Sequence, residues 1–205
     1  MGVSVYRLPW SAQLGWAVVF GLALAPFLYI VYGVLNNALG PDPAEALMHQ
    51  TGEWAIRLLV LVLAARPLAQ WGWPALFRYR RMLGLFMFFY TTLHLLVFAQ
   101  VYVGWNVSIL LEELLERPYV MVGFAGWVLL IPLALTSTNG MRRRLRQRWR
   151  QLHQLVYAIA VLGVLHVLWL SRSDIGDAVL YGVLLGALLC WRLWQVWRRR
   201  FARAG

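Results

Sequence analysis

Cysteine is nearly missing from this chain. Cys190 is the single one among 205 residues, so no disulfide and no thiolate metal cluster can form within it. Lysine is missing altogether, and all 19 cationic side chains are arginine. Acids number only eight and histidines four. Charged residues make up 13% of the sequence, where a soluble domain carries roughly a quarter. With 61% hydrophobic residues, this scarcity of charge argues against a soluble domain and for a membrane protein. The net charge of +11 would suit nucleic acid, so the placement of the arginines has to decide.

What is abundant is long apolar runs. Six stand out, at approximately 11–34, 51–69, 82–103, 119–136, 152–171 and 176–196, each near the roughly 20 residues that a bilayer-spanning helix needs. The first is too long for a signal-peptide core and no convincing cleavage site follows it, so it reads as a span. No repeat, low-complexity stretch or soluble domain is left over. Residues 1–205 therefore read as a single all-α domain, a six-helix transmembrane bundle. Pro118 stands where a helix can begin, and Pro26 and Pro132 fall inside spans, where kinks are tolerated.

The charges alternate with the spans. Arg7, Arg66, Arg78, Arg80 and Arg81, the six arginines of MRRRLRQRWR (141–150), and Arg192, Arg198, Arg199, Arg200 and Arg203 fall on one side, 16 of the 19. The acids Asp42, Glu45, Glu53, Glu112, Glu113, Glu116, Asp174 and Asp177 fall on the other. The positive-inside rule then expects both termini and the Arg-rich loops in the cytoplasm, in a bacterial inner membrane. Basic patches with this pattern point to topology and anionic lipid rather than nucleic acid. The 12 Trp suit interfacial belts as well as cofactor packing.

Three of the four histidines, His94, His153 and His166, lie inside spans or at their ends. An intramembrane ionisable group is costly and defaults to a functional reading. Neutral imidazole is the least costly such group and a good axial ligand for heme iron; the alternative is a His bonded to a neighbouring helix. Depth favours ligation. His94 lies 13 residues beyond Arg81, and His166 lies 16 beyond Arg150. At a rise of about 1.5 Å per residue the depths agree within ~6 Å, which tilt absorbs. Two imidazoles at matched depth on the third and fifth spans are what bis-His ligation of one heme requires, here in the outer half of the bilayer.

His153 precedes His166 by 13 residues, about 20 Å closer to the cytoplasm, a separation that suits a second heme. Two features oppose it. Thirteen steps leave His153 about 140° from the seam of His166, so a shared face needs a bent helix. The position 13 before His94 holds Arg81, and arginine is a poor iron ligand. His49, at the outer interface, reads as exposed or helix-capping. Arg57 sits about two turns inside the second span and wants a partner: a propionate of the outer heme, an i,i+4 pair with Glu53, or both. Arg80 and Arg81 could hold propionates of an inner cofactor or snorkel to headgroups.

The stretches RRMLGLFMFFYTTLHLLVF (80–98), RPYVMVGFAGWVLLIPLALTSTNGMRRRL (117–145) and RWRQLHQLVYAIAVLGVLHVLWL (148–170) resemble the MsrQ (YedZ) family of the ferric-reductase-like transmembrane group. The resemblance extends from about residue 10 to 197. It implies a membrane b-type cytochrome, the heme-binding subunit of a periplasmic methionine-sulfoxide reductase system. His94 and His166 match that family's outer-heme ligands, and His153 matches its fifth-helix ligand to an inner heme. One heme b is expected and a second is conceivable. The wider group often carries a C-terminal flavin and nicotinamide domain. Here the chain stops nine residues after Val196, in RRRFARAG, so electrons are expected from a membrane quinol or a separate cytoplasmic flavin reductase. They are expected to leave to MsrP, a periplasmic molybdenum-dependent reductase, for which the acidic LLEELLERP (110–118) is a candidate docking rim. FMN is associated with some members, and TSTNG (136–140) is the only, weak, phosphate-loop candidate. Rivals from other classes are a transporter or proton path using the buried histidines and a scaffold whose histidines bond across helices.

Overall fold

The computed structural model describes residues 10–171 and 175–201. Arg7, Asp174 and Arg203, three of the charges used above to orient the chain, lie outside the described residues, as does the side chain of Arg200. Every regular element among the described residues is helical. The order is α1 (Trp10–Leu35), α2 (Pro43–Gln70), α3 (Pro74–Phe98) continued by a π-helical turn (Ala99–Val103), α4 (Val107–Glu116), α5 (Pro118–Leu135), α6 (Asn139–Leu145), α7 (Gln147–Leu152), α8 (Leu155–Leu170) and α9 (Gly176–Phe201).

Among the described residues, five segments are long and apolar enough to cross a membrane: Ala12–Leu35, Pro74–Val103, Pro118–Leu135, Gln147–Leu170 and Gly176–Arg199. The protein is a multi-pass membrane protein. α2, at 28 residues, is longer than all of these except Pro74–Val103, but Glu53, Arg57 and Arg66 dilute its apolar character. It is also the most central. Leu58, Leu59, Val62 and Leu63 of α2 pack with Leu83 and Met87 of α3, Leu130 of α5, Val156 and Ile159 of α8, and Leu185 of α9 in one core. The other helices turn large apolar side chains outward, such as Leu22, Leu28, Leu168 and Val183. That surface suits lipid.

Local chemistry sets the boundaries. Asp42 caps α2, its carboxylate accepting the Glu45 N–H at 2.9 Å, with Pro43 following at the first helical position, where a missing N–H costs nothing. Pro118 opens α5 in the same way. Asn106 caps α4 through the Ser108 N–H at 2.9 Å.

The chain that was expected to be continuous over 152–171 is broken: α7 ends at Leu152, His153 and Gln154 form a turn, and α8 starts at Leu155. The interruption falls at His153 itself, where a shared face with His166 was expected to need a bend.

Pro26 interrupts α1, and the gap is filled from α3. The Tyr90 hydroxyl accepts the Phe27 N–H at 2.9 Å and donates to the Ala23 carbonyl at 2.8 Å. It thus stands between a donor and an acceptor four residues apart, which an unbroken helix would join directly. Tyr90 is fully buried. With no water at hand, this single side chain satisfies both backbone groups at the kink.

Candidate functional site

His94 of α3 and His166 of α8 face each other in the half of the bundle away from the Arg-rich loops. Their ring centres are 6.2 Å apart and their planes perpendicular. Each ring is fixed by the same kind of bond. His94 Nδ1 lies 3.1 Å from the Met48 carbonyl and 3.2 Å from Thr51 Oγ1. The carbonyl can only accept, and the Thr51 proton is already donated to Leu47 O at 2.7 Å, so Nδ1 is the protonated nitrogen. His166 Nδ1 donates to the Tyr119 carbonyl at 2.7 Å. Both tautomers therefore leave Nε2 with a free lone pair, and neither Nε2 has a protein hydrogen-bond partner among the described residues. Backbone carbonyls that hold Nδ1–H and present Nε2 are the usual arrangement around metal-ligating histidine.

Two glycines let the rings lie this close to neighbouring helices. A Cβ on Gly52 of α2 would stand 3.0 Å from His94 Cε1, and a Cβ on Gly123 of α5 would stand 2.7 Å from His166 Nδ1 and 2.8 Å from its Cε1. Each imidazole rests on bare backbone opposite the helix that carries it. Neither glycine sits at a turn, and Thr51, next to Gly52, is wholly buried.

A ring-centre separation of 6.2 Å leaves room for one metal ion between the two imidazoles. A ring centre lies roughly 1 Å from its nitrogen and a metal–imidazole bond is about 2 Å, so two such arms span about 6 Å. No group of three or more His, Cys, Asp or Glu side chains among the described residues could hold a metal ion. Two imidazoles alone suit a metal whose remaining donors come from a macrocycle, and heme iron is that case.

A line of contacts joins the acidic rim to His166. Glu113 of α4 pairs with Arg117 at 3.1 Å, Arg117 Nη1 donates to Tyr119 Oη at 3.2 Å, and the Tyr119 carbonyl holds His166. The bond to Tyr119, followed by the Glu113 charge, raises Arg117 above its usual range. The second carboxylate oxygen of Glu113 is buried without a partner.

The remaining sequence candidates are placed as follows. Arg57 pairs with Glu53, as the i,i+4 expectation has it, and its Nε also donates to Tyr181 Oη of α9 at 3.3 Å. Its guanidinium lies 4.9 Å above the Trp54 ring. His49 is exposed, 3.8 Å from Glu53 and 4.0 Å from Asp177; it does not cap the helix.

His153 stacks on Trp149, ring centres 3.9 Å apart. Its Nδ1 bonds the Trp149 carbonyl at 3.0 Å, while Nε2 is buried with no partner. The arginine acting on His153 is Arg80. Arg81 is bonded to the Asn139 side chain instead. Helical phase explains the exchange: 14 steps back from His94 return to within about 40° of its seam, and 13 do not.

TSTNG forms no phosphate cradle. Thr136 and Ser137 donate to Pro132 O and Leu133 O at 2.6 and 2.7 Å, closing α5, and Thr138 caps α6.

Comparison with known proteins agrees with this architecture. The family described as ferric reductase like transmembrane component matches residues 51–164, which include His94 and His153 but stop two short of His166. A protein-methionine-sulfoxide reductase heme-binding subunit MsrQ of Xanthomonas axonopodis pv. citri is 45% identical over 185 residues, covering 87% of this chain and 85% of the relative. The protein of the same description from Xanthomonas campestris pv. campestris is 47% identical over 161 residues, 78% of this chain and 74% of its own. That from Polaromonas naphthalenivorans is 40% identical over 186 residues, 89% and 85%. No solved structure matches. With similarity of this degree over nearly the full span of its relatives, the chain belongs to the ferric-reductase-like transmembrane family and, within it, to the MsrQ proteins.

Proposed function

We propose that this protein is the heme-carrying membrane subunit of a methionine-sulfoxide reductase system. Its role is to deliver reducing equivalents across a bacterial inner membrane to a periplasmic MsrP-type reductase. The observation that carries the reading is the facing pair His94 and His166, 6.2 Å apart with both Nδ1–H groups tied to backbone carbonyls. The relatives' description as heme-binding subunits supports it. Bound heme b supplies one-electron chemistry.

The chain's own residues do the rest. His94 and His166 present neutral imidazoles from opposite sides, Met48 and Tyr119 fix their tautomers, and Gly52 and Gly123 set their depth in the bundle. The apolar surroundings exclude water and so bear on the potential. Arg57, held by Glu53 and Tyr181, keeps further N–H donors for a propionate.

In this reading α2 completes a six-helix bundle as a single domain with both termini in the cytoplasm. The donor is a quinol or a cytoplasmic flavin reductase, and sulfoxide chemistry belongs to the partner. FMN is not required by any group described above. The acidic face of α4, with the unpartnered oxygen of Glu113, is the docking rim. The orphaned Nε2 of His153 favours a second heme nearer the Arg-rich end, with Arg80 beside it as a propionate partner.

The test is a pyridine hemochrome assay on purified protein, with reduced-minus-oxidised spectra of His94→Ala and His166→Ala. Sharp b-type bands that each variant loses in large part are expected. Colourless protein from heme-replete cells, or variants with full heme content, would overturn the reading in favour of a proton path or a scaffold.

A further inference from the structure

The Arg-rich end of the bundle gathers Arg80, named above beside His153, with two arginines that nothing so far employs. Arg66 of α2, Arg80 of α3 and Arg192 of α9 converge on one cleft with Tyr157 of α8, walled by Leu63, Leu188 and Trp191. All three arginines are half-buried. Among the described residues, none of them has an ion pair or a hydrogen bond to a protein acceptor. Instead they repel one another: Arg192, Arg199 and Arg80 act on Arg66, and Arg192 acts on Arg80.

Gathering like charges in a low-dielectric cleft is costly, and here the gathering is enforced. One turn beyond, Gln195 Nε2 of α9 donates to Gln70 Oε1 of α2 at 2.7 Å. That bond clamps the two helices at the level where Arg66 and Arg192 meet. Arg192 is further steadied 5.7 Å from the Tyr157 ring. Three guanidinium groups from three helices, with no carboxylate paired to them among the described residues, match the chemistry of a multiply accepting oxyanion.

We infer that this cleft binds the phosphate of an anionic phospholipid from the leaflet at the Arg-rich end. Leu188 and Trp191, both part-exposed, flank the charges as an acyl chain and an interfacial belt would require, and basic pockets between membrane helices recognise lipid phosphate in this way. Arg80 is also the one member beside His153, so a heme propionate is the competing occupant. Arg66 and Arg192 belong to α2 and α9 and are the arginines that separate the two. The inference requires only that the chain crosses a membrane, and it stands or falls independently of the outer heme site.

The test measures lipid binding to the purified full chain in neutral detergent, by native mass spectrometry and by thermal shift. The probes are phosphatidylglycerol, phosphatidylcholine and inorganic phosphate, with heme absorbance followed throughout. Wild type should bind phosphatidylglycerol in preference to phosphatidylcholine. Arg192→Gln should weaken that binding about fivefold, and Arg66→Gln with Arg192→Gln about 25-fold, at roughly one factor of five per arginine. Heme content should be unchanged. Arg143→Gln with Arg144→Gln, which removes the same charge from α6, should leave binding intact. Should the double variant fail to accumulate, Arg192→Gln alone decides. Four results would each overturn the inference: undiminished phosphatidylglycerol binding in the variants, equal weakening in the α6 control, equal stabilisation by inorganic phosphate, or loss of heme in place of lipid.

Discussion

Gly123→Ala tests the histidine pair without touching either histidine. The new Cβ would lie 2.7 Å from His166 Nδ1 and 2.8 Å from Cε1, where ordinary van der Waals contact begins at 3.4 Å. The obstacle is backbone-anchored, so the ring must retreat by about 0.7 Å to restore ordinary contact. Retreat also stretches the 2.7 Å bond to Tyr119 O that fixes the tautomer. A metal–nitrogen bond of about 2 Å does not tolerate such a shift without weakening. Overpacking of this kind costs about 1–3 kcal/mol, and heme affinity should fall roughly tenfold to a hundredfold. The assay is heme titration of apoprotein, with ferric EPR reporting the ligand field. Gly126→Ala is the matched control on the same helix, because its Cβ would meet only Leu162 Cβ at 3.9 Å. Wild-type affinity and an unaltered EPR spectrum in Gly123→Ala would refute the reasoning, as would equal damage in the control.

Further expectations concern other links in the argument. Gly52→Ala should perturb the heme less than Gly123→Ala, since its nearest approach is 3.0 Å; the same titration ranks the two. Tyr90→Phe orphans the Phe27 N–H and the Ala23 carbonyl at the α1 kink and should cost about 1–3 kcal/mol of stability, read as a lower thermal midpoint with heme retained. His153→Ala should lower the hemochrome stoichiometry from two hemes to one if its free Nε2 is a ligand, and leave it unchanged otherwise. Thr51→Val removes one of the two acceptors near His94 Nδ1 and should shift the midpoint potential measurably while leaving heme bound.

Much of this was legible in the residues because the bilayer imposes a simple code. Apolar runs gave the long helices, although α2 and α3 each begin eight residues before their runs and the short α4, α6 and α7 were not foreseen, and depth counting paired His94 with His166. α2 was harder: its N-terminal two turns, Pro43–Gln50, are polar and lie outside any hydropathy signal, yet they supply the Met48 carbonyl that orients His94. Linear counting also assumed an unbroken fifth span, and the turn at His153 and Gln154 lies where no proline or glycine announces it. Gly52 and Gly123 were visible as isolated glycines inside helices, a pattern that often marks close packing. Which ring each one admits depends on tertiary placement and cannot be read from spacing. Arg81 illustrates the same limit at finer scale, since one residue of helical phase separates it from Arg80.

The phenol at the α1 kink has a mechanical consequence. Tyr90 and His94 are one helical turn apart on α3, so the hydroxyl that splices the two halves of α1 is carried by the same helix as one imidazole of the facing pair. The bend at Pro26 is therefore a welded elbow rather than a joint. Tilting the lipid-facing first helix loads the third through a single side chain, one turn from the His94 ring.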